Sequence, residues 1–402
     1  MLRILQICNK APFPANDGSS IAIYNMARGF LTNGVQLQLL CINTKKHFKP
    51  DAGVPEEFRR QTQYRSVYHN TSTSLMGALL NLISTQSYFV SRFNFKAFEV
   101  ALSDVLKKHE FDIIQLEGVF MGVYLPTIRK YTKARVVLRA HNIEHYIWDR
   151  HVLLEKNPIK KAYLKMQNKR LKRFELNVFN ACDAIVTITS TDGAELQKLG
   201  CFKPNYTCIT GVDIDQYQRP LPVQPKPKTV FYFGSMDWLP NSEAVLWFLN
   251  HCWNKIHKAV PEARFIVAGR GMPPSFHKLI APNLLLVENV PDATSFYKQH
   301  EVMVVPLWSG SGIRIKIIEG MAYGKAIVST SIGAEGINYT HQKNIMIADN
   351  AEDFSKAVID LLKKPVLRME LETQASSFAE EVFDNSKVVS SLTAFYKRLV
   401  HV

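Results

Sequence analysis

Residues 302–324 read VMVVPLWSGSGIRIKIIEGMAYG and place three structural signals in one short stretch. The apolar, β-branched residues 302–306 predict a strand buried on both faces, as strands of parallel sheets are. Glycine and serine then lead directly into an apolar segment with helical spacing. A strand, a small-residue turn and a helix form the unit of a parallel α/β sheet, and such a turn lets an anion approach the helix N-terminus.

Strand-and-helix units of this kind alternate along the whole chain. Two successive sets of strands predict two doubly wound α/β domains, because each set contains enough strands for its own sheet. The predicted strands of the first half are 2–8, 35–42, 111–116, 134–138, 183–189 and 206–210, and those of the second half are 229–234, 263–269, 283–287, 302–306, 326–330 and 344–347.

A proline-rich segment separates the two sets. Residues 219–228 read RPLPVQPKPK, and four prolines in ten residues block both helix and interior strand. This predicts a linker at 219–228 between an N-terminal domain at 1–218 and a C-terminal domain at 229–383. Residues 384–402 predict a final helix, which we expect to pack back on the N-terminal domain through one apolar stripe.

Composition limits the class of protein. The 49 Lys and Arg residues exceed the 35 Asp and Glu residues, giving a net charge of +14, which favours acidic partners. Nucleic acid is excluded as a partner because no recognised binding motif accompanies the charge.

Six cysteines without metal-ligand spacing fit a reducing compartment. The N-terminus lacks a secretory apolar region and no run has transmembrane length, so we expect a cytoplasmic protein.

Two segments raise the question of a membrane surface. Residues 156–173 hold eight Lys and Arg residues and no acidic residue, with apolar residues interleaved at near-helical spacing. Residues 75–90 form an apolar stretch too short to span a bilayer. One interpretation is that both segments contact the anionic inner face of the cytoplasmic membrane and that the acceptor is lipid-linked. The other is a solvated basic helix beside a core helix, and the sequence leaves both open.

Polar residues follow two strands of the first half, where open α/β sheets bind ligands. Asp17, Gly18 and Ser19 precede a helix and could bring a phosphate to its N-terminus, or could form an ordinary capped turn. His141 and Glu144 follow the predicted strand at 134–138. Histidine is suited to proton transfer or to hydrogen bonding with a sugar, although both side chains could instead cap the next helix.

The glycine- and serine-rich turn after residues 302–306 carries the densest group of candidates. Arg314 and Lys316 lie near the start of the following helix, where the helix dipole disfavours cations. An anion in front of them explains this placement. Glu319 lies one turn beyond Lys316, so the alternative is a simple helix ion pair between the two.

Several motifs together resemble family-4 retaining glycosyltransferases of the GT-B fold, over the whole chain. They read FGSMDWLPN at 233–241, AGRG at 268–271, VVPL at 304–307 and SGIRIKIIEGMAYGKAIVST at 311–330. The resemblance implies two facing Rossmann-like domains with a cleft between them. It assigns acceptor binding to the N-terminal domain, with the Asp17–Ser19 loop touching phosphate or acceptor, and nucleotide-sugar binding to the C-terminal domain.

The resemblance also implies roles for individual residues. His141 matches the family histidine that contacts the transferred sugar, and Glu319 matches the carboxylate that holds the donor ribose. The residues expected to bind the donor are Gly234, Ser235, Arg270, Val290, Ser311, Gly312, Ile313 and Glu319.

Two features depart from the family pattern. Ser311 stands where the family has the first glutamate of its E-x(7)-E signature. No Arg and Lys pair follows the first strand of the donor domain, where 235–241 contain no cation. Since the leaving diphosphate needs positive charge, Arg314 and Lys316 are the expected substitutes, and with His141 they form the predicted catalytic set.

The expected activity is therefore a retaining hexosyl transfer that needs no metal or other cofactor. The donor would be a UDP- or GDP-sugar, and the acceptor a glycan or a lipid-linked molecule in surface polysaccharide or glycoconjugate synthesis. Two alternatives stay open at this point: a nucleotide-sugar epimerase of the same architecture, and a catalytically silent nucleotide-sugar-binding protein.

Overall fold

The computed structural model describes residues 1–15, 18–45, 48, 50–218, 223, 226–310 and 312–401. The chain divides into two compact units, of which the first contains residues 1–211 and 386–402 and the second contains residues 212–385. Each unit is built around one parallel sheet with helices on its faces.

The sheet of the first unit has seven parallel strands in the order β3-β2-β1-β4-β5-β6-β7. The strands are β1 (Arg3–Cys8), β2 (Gln36–Thr44), β3 (Arg65–His69), β4 (Ile113–Glu117), β5 (Arg135–Ala140), β6 (Ala184–Thr187) and β7 (Asn205–Thr207). Sequence analysis missed β3, because an edge strand that is only partly buried carries no continuous apolar run.

Helices cover both faces of this sheet. They are α1 (Gly18–Thr32), α2 (Glu56–Gln61), α3 (Leu75–Leu80), α4 (Tyr88–Ser91), α5 (Lys96–Lys108), α6 (Leu125–Tyr131), α7 (Glu144–Leu154), α8 (Pro158–Ala181), α9 (Ser190–Lys198) and α17 (Asn385–His401). The terminal helix α17 buries Val389, Leu392 and Tyr396 in the same apolar cluster as Phe30 of α1 and Ile113 of β4. Its apolar stripe therefore completes the core of the first unit.

The sheet of the second unit has six parallel strands in the order β10-β9-β8-β11-β12-β13. The strands are β8 (Thr229–Phe233), β9 (Arg264–Gly269), β10 (Leu284–Glu288), β11 (Val302–Val305), β12 (Ala326–Ser329) and β13 (Met346–Ile347). The helices are α10 (Ile214–Gln218), α11 (Leu239–Phe248), α12 (Asn254–Ala259), α13 (Ala293–Gln299), α14 (Ile315–Ala322), α15 (Ala351–Lys363) and α16 (Pro365–Val382). A π-helical turn at Leu249–Trp253 joins α11 to α12.

The strand orders confirm the expected doubly wound α/β class. In each sheet the chain builds outward from the first strand to one side and then returns to its other side, which creates a topological switch point. The switch lies between β1 and β4 in the first unit and between β8 and β11 in the second. Ligands in such sheets bind beyond the carboxyl ends of the strands that flank the switch.

The boundary between the units falls earlier than the proline-rich segment. Residues 212–218 belong to the second unit, where Val212 pairs with Asp384 and the Tyr217 hydroxyl donates a hydrogen bond to Glu319. Local composition marks only where the chain cannot form regular structure, whereas tertiary pairing decides which unit a segment joins. Most of the predicted linker at 219–228 lies outside the described residues.

Candidate functional site

A first group of polar side chains lies at the switch point of the second unit. Lys316, in the first turn of α14, extends to the neighbouring strand β8, and its ammonium group donates hydrogen bonds of 2.9 Å to Tyr232 Oη and Asn241 Oδ1. Tyr232 Oη in turn donates to Asn241 Oδ1 at 2.6 Å. Neither of these partners is a carboxylate, so within the described part of the chain the charge of Lys316 has no direct counter-ion.

Close packing between β8 and α14 brings the Lys316 ammonium group beside the backbone of Gly234. A Cβ atom built on Gly234 would stand 2.6 Å from Lys316 Nζ, so any larger residue would displace the ammonium group. A Cβ on Gly269 of β9 would stand 1.8 Å from the Gly234 carbonyl oxygen. Close approach of the backbone therefore requires a glycine at 269, whereas a side chain at the predicted donor-binding residue Gly234 would have to move the Lys316 ammonium group.

Arg270 and Arg314 bring two more cations to the same strand ends. Arg270 Nε donates a 3.0 Å hydrogen bond to Ser235 Oγ, which donates to Asp237 Oδ1 at 2.6 Å. Arg314 is at the N-cap position of α14, and its guanidinium carbon lies 5.7 Å from the ring centre of Trp238. The Arg314 side chain has no acceptor atom, so it cannot cap the first N–H groups of α14, although the Arg314 carbonyl oxygen accepts a hydrogen bond from Ile317 N at 2.9 Å. The N–H groups of Ile315 and Lys316, ahead of Ile317, are suited to an anion.

Burial shifts the ionisation of the two charged residues of α14. Burial and the nearby charge of Arg314 lower the pKa of Lys316 to about 7, against a smaller opposing effect of Glu319. Burial raises the pKa of Glu319 to about 7, although Tyr217 and Lys316 favour its charged form. Within the described residues no ion pair joins Lys316 to Glu319, since Lys316 Nζ contacts β8 and α11 while Glu319 Oε1 accepts from Tyr217 at 3.1 Å. The simple helix-pair interpretation is therefore wrong.

The other predicted donor-binding residues take different places. Gly312 and Ile313 lie in the turn that enters α14, where the Gly312 carbonyl oxygen accepts a hydrogen bond from Arg314 Nη1. Val290 follows β10. This strand is not adjacent to β8, because β9 lies between the two. Ser311 lies outside the described residues.

A second group of polar side chains is buried at the switch point of the first unit, around Glu117. Oε1 of Glu117 accepts hydrogen bonds from Gln6 Nε2 at 2.6 Å and Gln115 Nε2 at 2.5 Å. Oε2 lies 3.2 Å from Arg139 Nη1 and 2.6 Å from His141 Nε2. Burial opposes ionisation of Glu117, but Arg139, His141 and Gln6 outweigh it and lower its pKa to about 2.

The ionised carboxylate fixes the orientation of His141. A carboxylate only accepts hydrogen bonds, so we assign the proton of the short contact to His141 Nε2. Among the described residues no hydrogen bond reaches the other ring nitrogen, Nδ1. His141 does not cap the next helix, because α7 begins at Glu144 with Ile143 at its N-cap. Glu175 of α8 instead accepts hydrogen bonds from the backbone N–H groups of Glu144 and His145.

Sequence analysis missed Glu117, Gln115 and Gln6, yet a signal was present. Gln115 and Glu117 alternate with apolar residues in β4, and Gln6 occupies the corresponding face of β1. All three side chains are fully buried, and buried polar groups at alternate strand positions indicate a common network. Gly18 and Ser19 of the predicted phosphate loop lie in the first turn of α1, and Asp17 lies outside the described residues.

A third feature of the first unit is an apolar surface beside a basic helix, which we call the α3–α8 surface. Residues of α3 and the following turn are exposed rather than buried in a core, with Leu75 87% and Ile83 93% accessible. Arg170 of α8 fixes this segment by donating hydrogen bonds to the carbonyl oxygens of Asn81 and Leu82. The exposed apolar residues of the surface are Leu75, Met76, Leu79, Leu80, Leu82, Ile83, Leu153, Leu154 and Ile159.

Comparison with known families supplies two matches that together span most of the chain. The family model described as Glycosyltransferase Family 4 matches residues 16–216, and the model described as Glycosyl transferases group 1 matches residues 227–364. No helix that the structure describes is both long and apolar enough to cross a membrane.

Individual proteins resemble the chain over its full length. An uncharacterised 44.6 kDa protein in the cps region of Klebsiella pneumoniae is 22% identical, covering 98% of this chain and 99% of that protein. The crystal structure of HepE from Anabaena in complex with UDP and glucose has a TM-score of 0.70 at 12% identity, covering 99% of this chain and 100% of that one. WaaG, a glycosyltransferase involved in lipopolysaccharide biosynthesis, has a TM-score of 0.66 at 14% identity, covering 98% and 99%.

Proposed function

Because the chain belongs to glycosyltransferase family 4, we propose that it transfers a hexose from a UDP- or GDP-sugar with retention of anomeric configuration and without a divalent metal. The acceptor in this proposal is a glycan or a lipid-linked molecule in the synthesis of a surface polysaccharide or glycoconjugate. The cps-region relative and the lipopolysaccharide transferase WaaG support this setting, and the UDP bound to HepE favours a uridine nucleotide.

One observation carries the donor assignment: Lys316, at the switch point of the second unit, is a buried amine that has no carboxylate partner among the residues the structure describes. Burying a charged group without a counter-ion is unfavourable unless a ligand supplies the opposite charge. A diphosphate seated on the N-terminus of α14 would do so, with Arg314 beside it. Arg270 is placed to contribute through its contact with Ser235.

The same cations supply what the reaction requires. Breaking the bond between the sugar and the diphosphate develops negative charge on the leaving oxygen and positive charge at the anomeric carbon. Arg314, Lys316 and the first N–H groups of α14 would stabilise that negative charge in place of a metal. We assign His141 of the first unit to the transferred sugar, where Nδ1 would accept from a sugar hydroxyl or, when protonated, donate to it.

The test is an assay with purified protein, a glycan or lipid acceptor extract and either UDP- or GDP-sugars. We expect product formation that EDTA does not reduce, with the anomeric configuration of the product established by NMR. Loss of activity in EDTA, or an inverted product, would contradict the proposal. Lys316→Met is the matched inactive control, because it keeps the aliphatic stem and removes only the amine.

Two control experiments separate the alternatives. An epimerase would convert the sugar nucleotide without acceptor, so NMR of the donor incubated with protein alone detects it. A silent binding protein would raise its melting temperature with UDP or GDP and show no turnover with any acceptor. Retention of donor without conversion in both experiments would support the silent protein and exclude the transferase.

We also propose that the α3–α8 surface contacts the anionic inner face of the cytoplasmic membrane and so brings the protein to a lipid-linked acceptor. Exposed leucine and isoleucine side chains at this density are unfavourable in water and are suited to the boundary between headgroups and acyl chains. The exposed basic residues Lys160, Lys165, Lys169, Lys172 and Arg173 of α8 complement the charge of acidic lipids.

Sedimentation with lipid vesicles tests this contact. We expect binding to vesicles containing phosphatidylglycerol, weaker binding to neutral vesicles, and loss of binding in the Leu79→Asp/Ile83→Asp double variant. Ile280→Asp in the second unit is the matched control, because Ile280 is 99% exposed and lies outside this surface. Equal sedimentation of the double variant and the wild type would contradict the assignment.

A further inference from the structure

A continuous chain of buried hydrogen bonds runs from the C-terminal helix α17 to His141. Tyr396 Oη donates to Gln115 Oε1 at 2.5 Å, and Gln115 Nε2 donates to Glu117 Oε1 at 2.5 Å. Glu117 Oε2 then accepts from His141 Nε2 at 2.6 Å. Tyr396, Gln115 and Glu117 are fully buried, so water does not compete for the hydrogen bonds between them.

We propose that Glu117 is a positioning residue for His141 and that Tyr396 and Gln115 hold Glu117 in place. The inference rests on the role proposed above for His141. Glu117 itself is buried and touches neither the sugar nor the donor in this assignment, so it acts only through the imidazole. Its function is to keep the proton on Nε2 and to direct Nδ1 toward the sugar.

The geometry favours positioning over packing alone for three reasons. Both carboxylate oxygens are used, two partners on each, so Glu117 has little freedom to rotate. The strand face that carries Gln6, Gln115 and Glu117 could hold apolar residues at lower cost, as the neighbouring positions do. Arg139 Nη1 lies 3.5 Å from His141 Nε2, where two donors cannot bond, so among the described residues it is the Glu117 carboxylate that links Arg139 to His141.

Tyr396, the first residue of this hydrogen-bonded series, comes from a segment that is distant in sequence. It is separated from Gln115 by 281 residues, and α17 contacts the sheet chiefly through apolar packing. A phenylalanine would pack equally well at this position. The hydroxyl is therefore explained by its single acceptor, the side-chain oxygen of Gln115, which it fixes so that the amide nitrogen faces Glu117.

The test uses the full-length protein with ¹⁵N-labelled histidine. Tyr396→Phe removes one oxygen atom. Tyr206→Phe is the matched control, because Tyr206 stacks on Phe395 of the same helix but forms no hydrogen bond with Glu117 or Gln115 in the described part of the chain. We expect the ring nitrogen signals of His141, identified by their loss in His141→Ala, to move in Tyr396→Phe and in Glu117→Gln. They should stay unchanged in Tyr206→Phe.

Kinetics provide the second measurement. Glu117→Gln should lower kcat by about ten- to a hundredfold, because a misplaced catalytic group loses alignment, while the KM for the donor stays within about twofold. If Glu117→Gln does not fold, Tyr396→Phe carries the test through the His141 signals alone. Unchanged His141 signals in Tyr396→Phe, or a change in donor KM without a change in kcat, would overturn the inference.

The two measurements also separate this inference from the proposed function. A wild-type protein without transferase activity, but with His141 signals that respond to Tyr396→Phe, would contradict the proposed reaction and leave the positioning chain supported. An active transferase whose His141 signals do not respond to Tyr396→Phe would support the proposed reaction and contradict the positioning role of Glu117.

Discussion

The ammonium group of Lys316 lies 2.9 Å from the hydroxyl oxygen of Tyr232 and 4.4 Å from the centre of the Tyr232 ring. Tyr232 belongs to β8, the neighbour of strand β11, which precedes α14. This contact holds a buried cation between the two strands that flank the switch point of the second unit. Tyr232 can stabilise the charge through both its ring face and its hydroxyl oxygen, but neither neutralises it. We therefore expect this site to bind an anion.

Lys316→Met should weaken UDP binding and stabilise the ligand-free protein. Loss of a charged hydrogen-bond donor to phosphate costs about 2 kcal/mol, or roughly thirtyfold in affinity. Removing the buried amine relieves its desolvation, and Tyr232 and Asn241 still bond to each other, so the melting temperature should rise by a few degrees. Calorimetry and thermal unfolding measure both effects. Affinity within twofold of the wild type would exclude Lys316 as a phosphate ligand.

Arg314→Ala should also weaken donor binding, and Arg314→Lys should restore it only in part. A lysine keeps the charge but loses the planar, multidentate guanidinium that can contact two phosphate oxygens while facing Trp238. We expect a loss of about tenfold in affinity for the alanine variant. Arg264→Ala, at the opposite end of β9, is the control and should bind UDP normally.

Donor binding should take up a proton above neutral pH. The pKa of Lys316 is lowered to about 7, so above pH 7 the ligand-free amine is mostly uncharged, and a diphosphate would favour its protonated form. Affinity should therefore fall with rising pH between 7.5 and 9, by up to about tenfold per unit.

Calorimetry in two buffers of different ionisation enthalpy measures this proton uptake directly. This proton uptake should disappear in Lys316→Met. A pH-independent affinity for UDP across this range would show that Lys316 keeps its charge in the free protein.

His141→Ala should lower kcat strongly and change UDP affinity little, because His141 belongs to the first unit while the proposed phosphate ligands belong to the second. We expect a loss of about a hundredfold in kcat, typical of a group that acts only in the reaction step. Steady-state kinetics and UDP titration separate the two effects. Equal losses in kcat and in UDP affinity would contradict the assignment of His141 to the transferred sugar.

Glu117→Gln should alter the acid stability of the first unit. The pKa of Glu117 is depressed to about 2 in the folded protein, so its stabilisation is present above pH 4.5 and is lost as pH falls toward 2. The wild type should lose about 3 kcal/mol over this window, a loss that the variant does not show. At pH 7 the variant should be less stable, because Arg139 is left buried without its counter-ion. Thermal unfolding at several pH values measures both differences.

Strand and helix positions were largely predictable because their signals are local. Twelve of the thirteen strands overlap the apolar runs that sequence analysis identified, since strands buried in a parallel sheet consist mainly of apolar residues. The exception, β3, carries Arg65 and His69 and lies at the edge of the sheet. Its apolar content is too low to distinguish it from a loop.

The candidate site was predictable only where it follows a local pattern. The glycine- and serine-rich turn before α14 identified Arg314 and Lys316, because a strand, a turn and a helix N-terminus are adjacent in sequence. Tyr232 and Asn241, which hold Lys316, come from elements more than seventy residues away. The same applies to Glu117, which reaches His141 only through the pairing of β4 with β5.

The sequence by itself determined the alternation of strands and helices, the two sheets and the family, because apolar periodicity and turn residues act over a few neighbouring positions. Only the tertiary structure decided the partners of the charged groups in the turn before α14. Within the described residues Lys316 has no carboxylate partner, because β8 offers it Tyr232 and α11 offers it Asn241, whereas His141 has one because Glu117 ends the neighbouring strand. Electrostatic partners depend on distance in space, which strand order sets and local sequence does not.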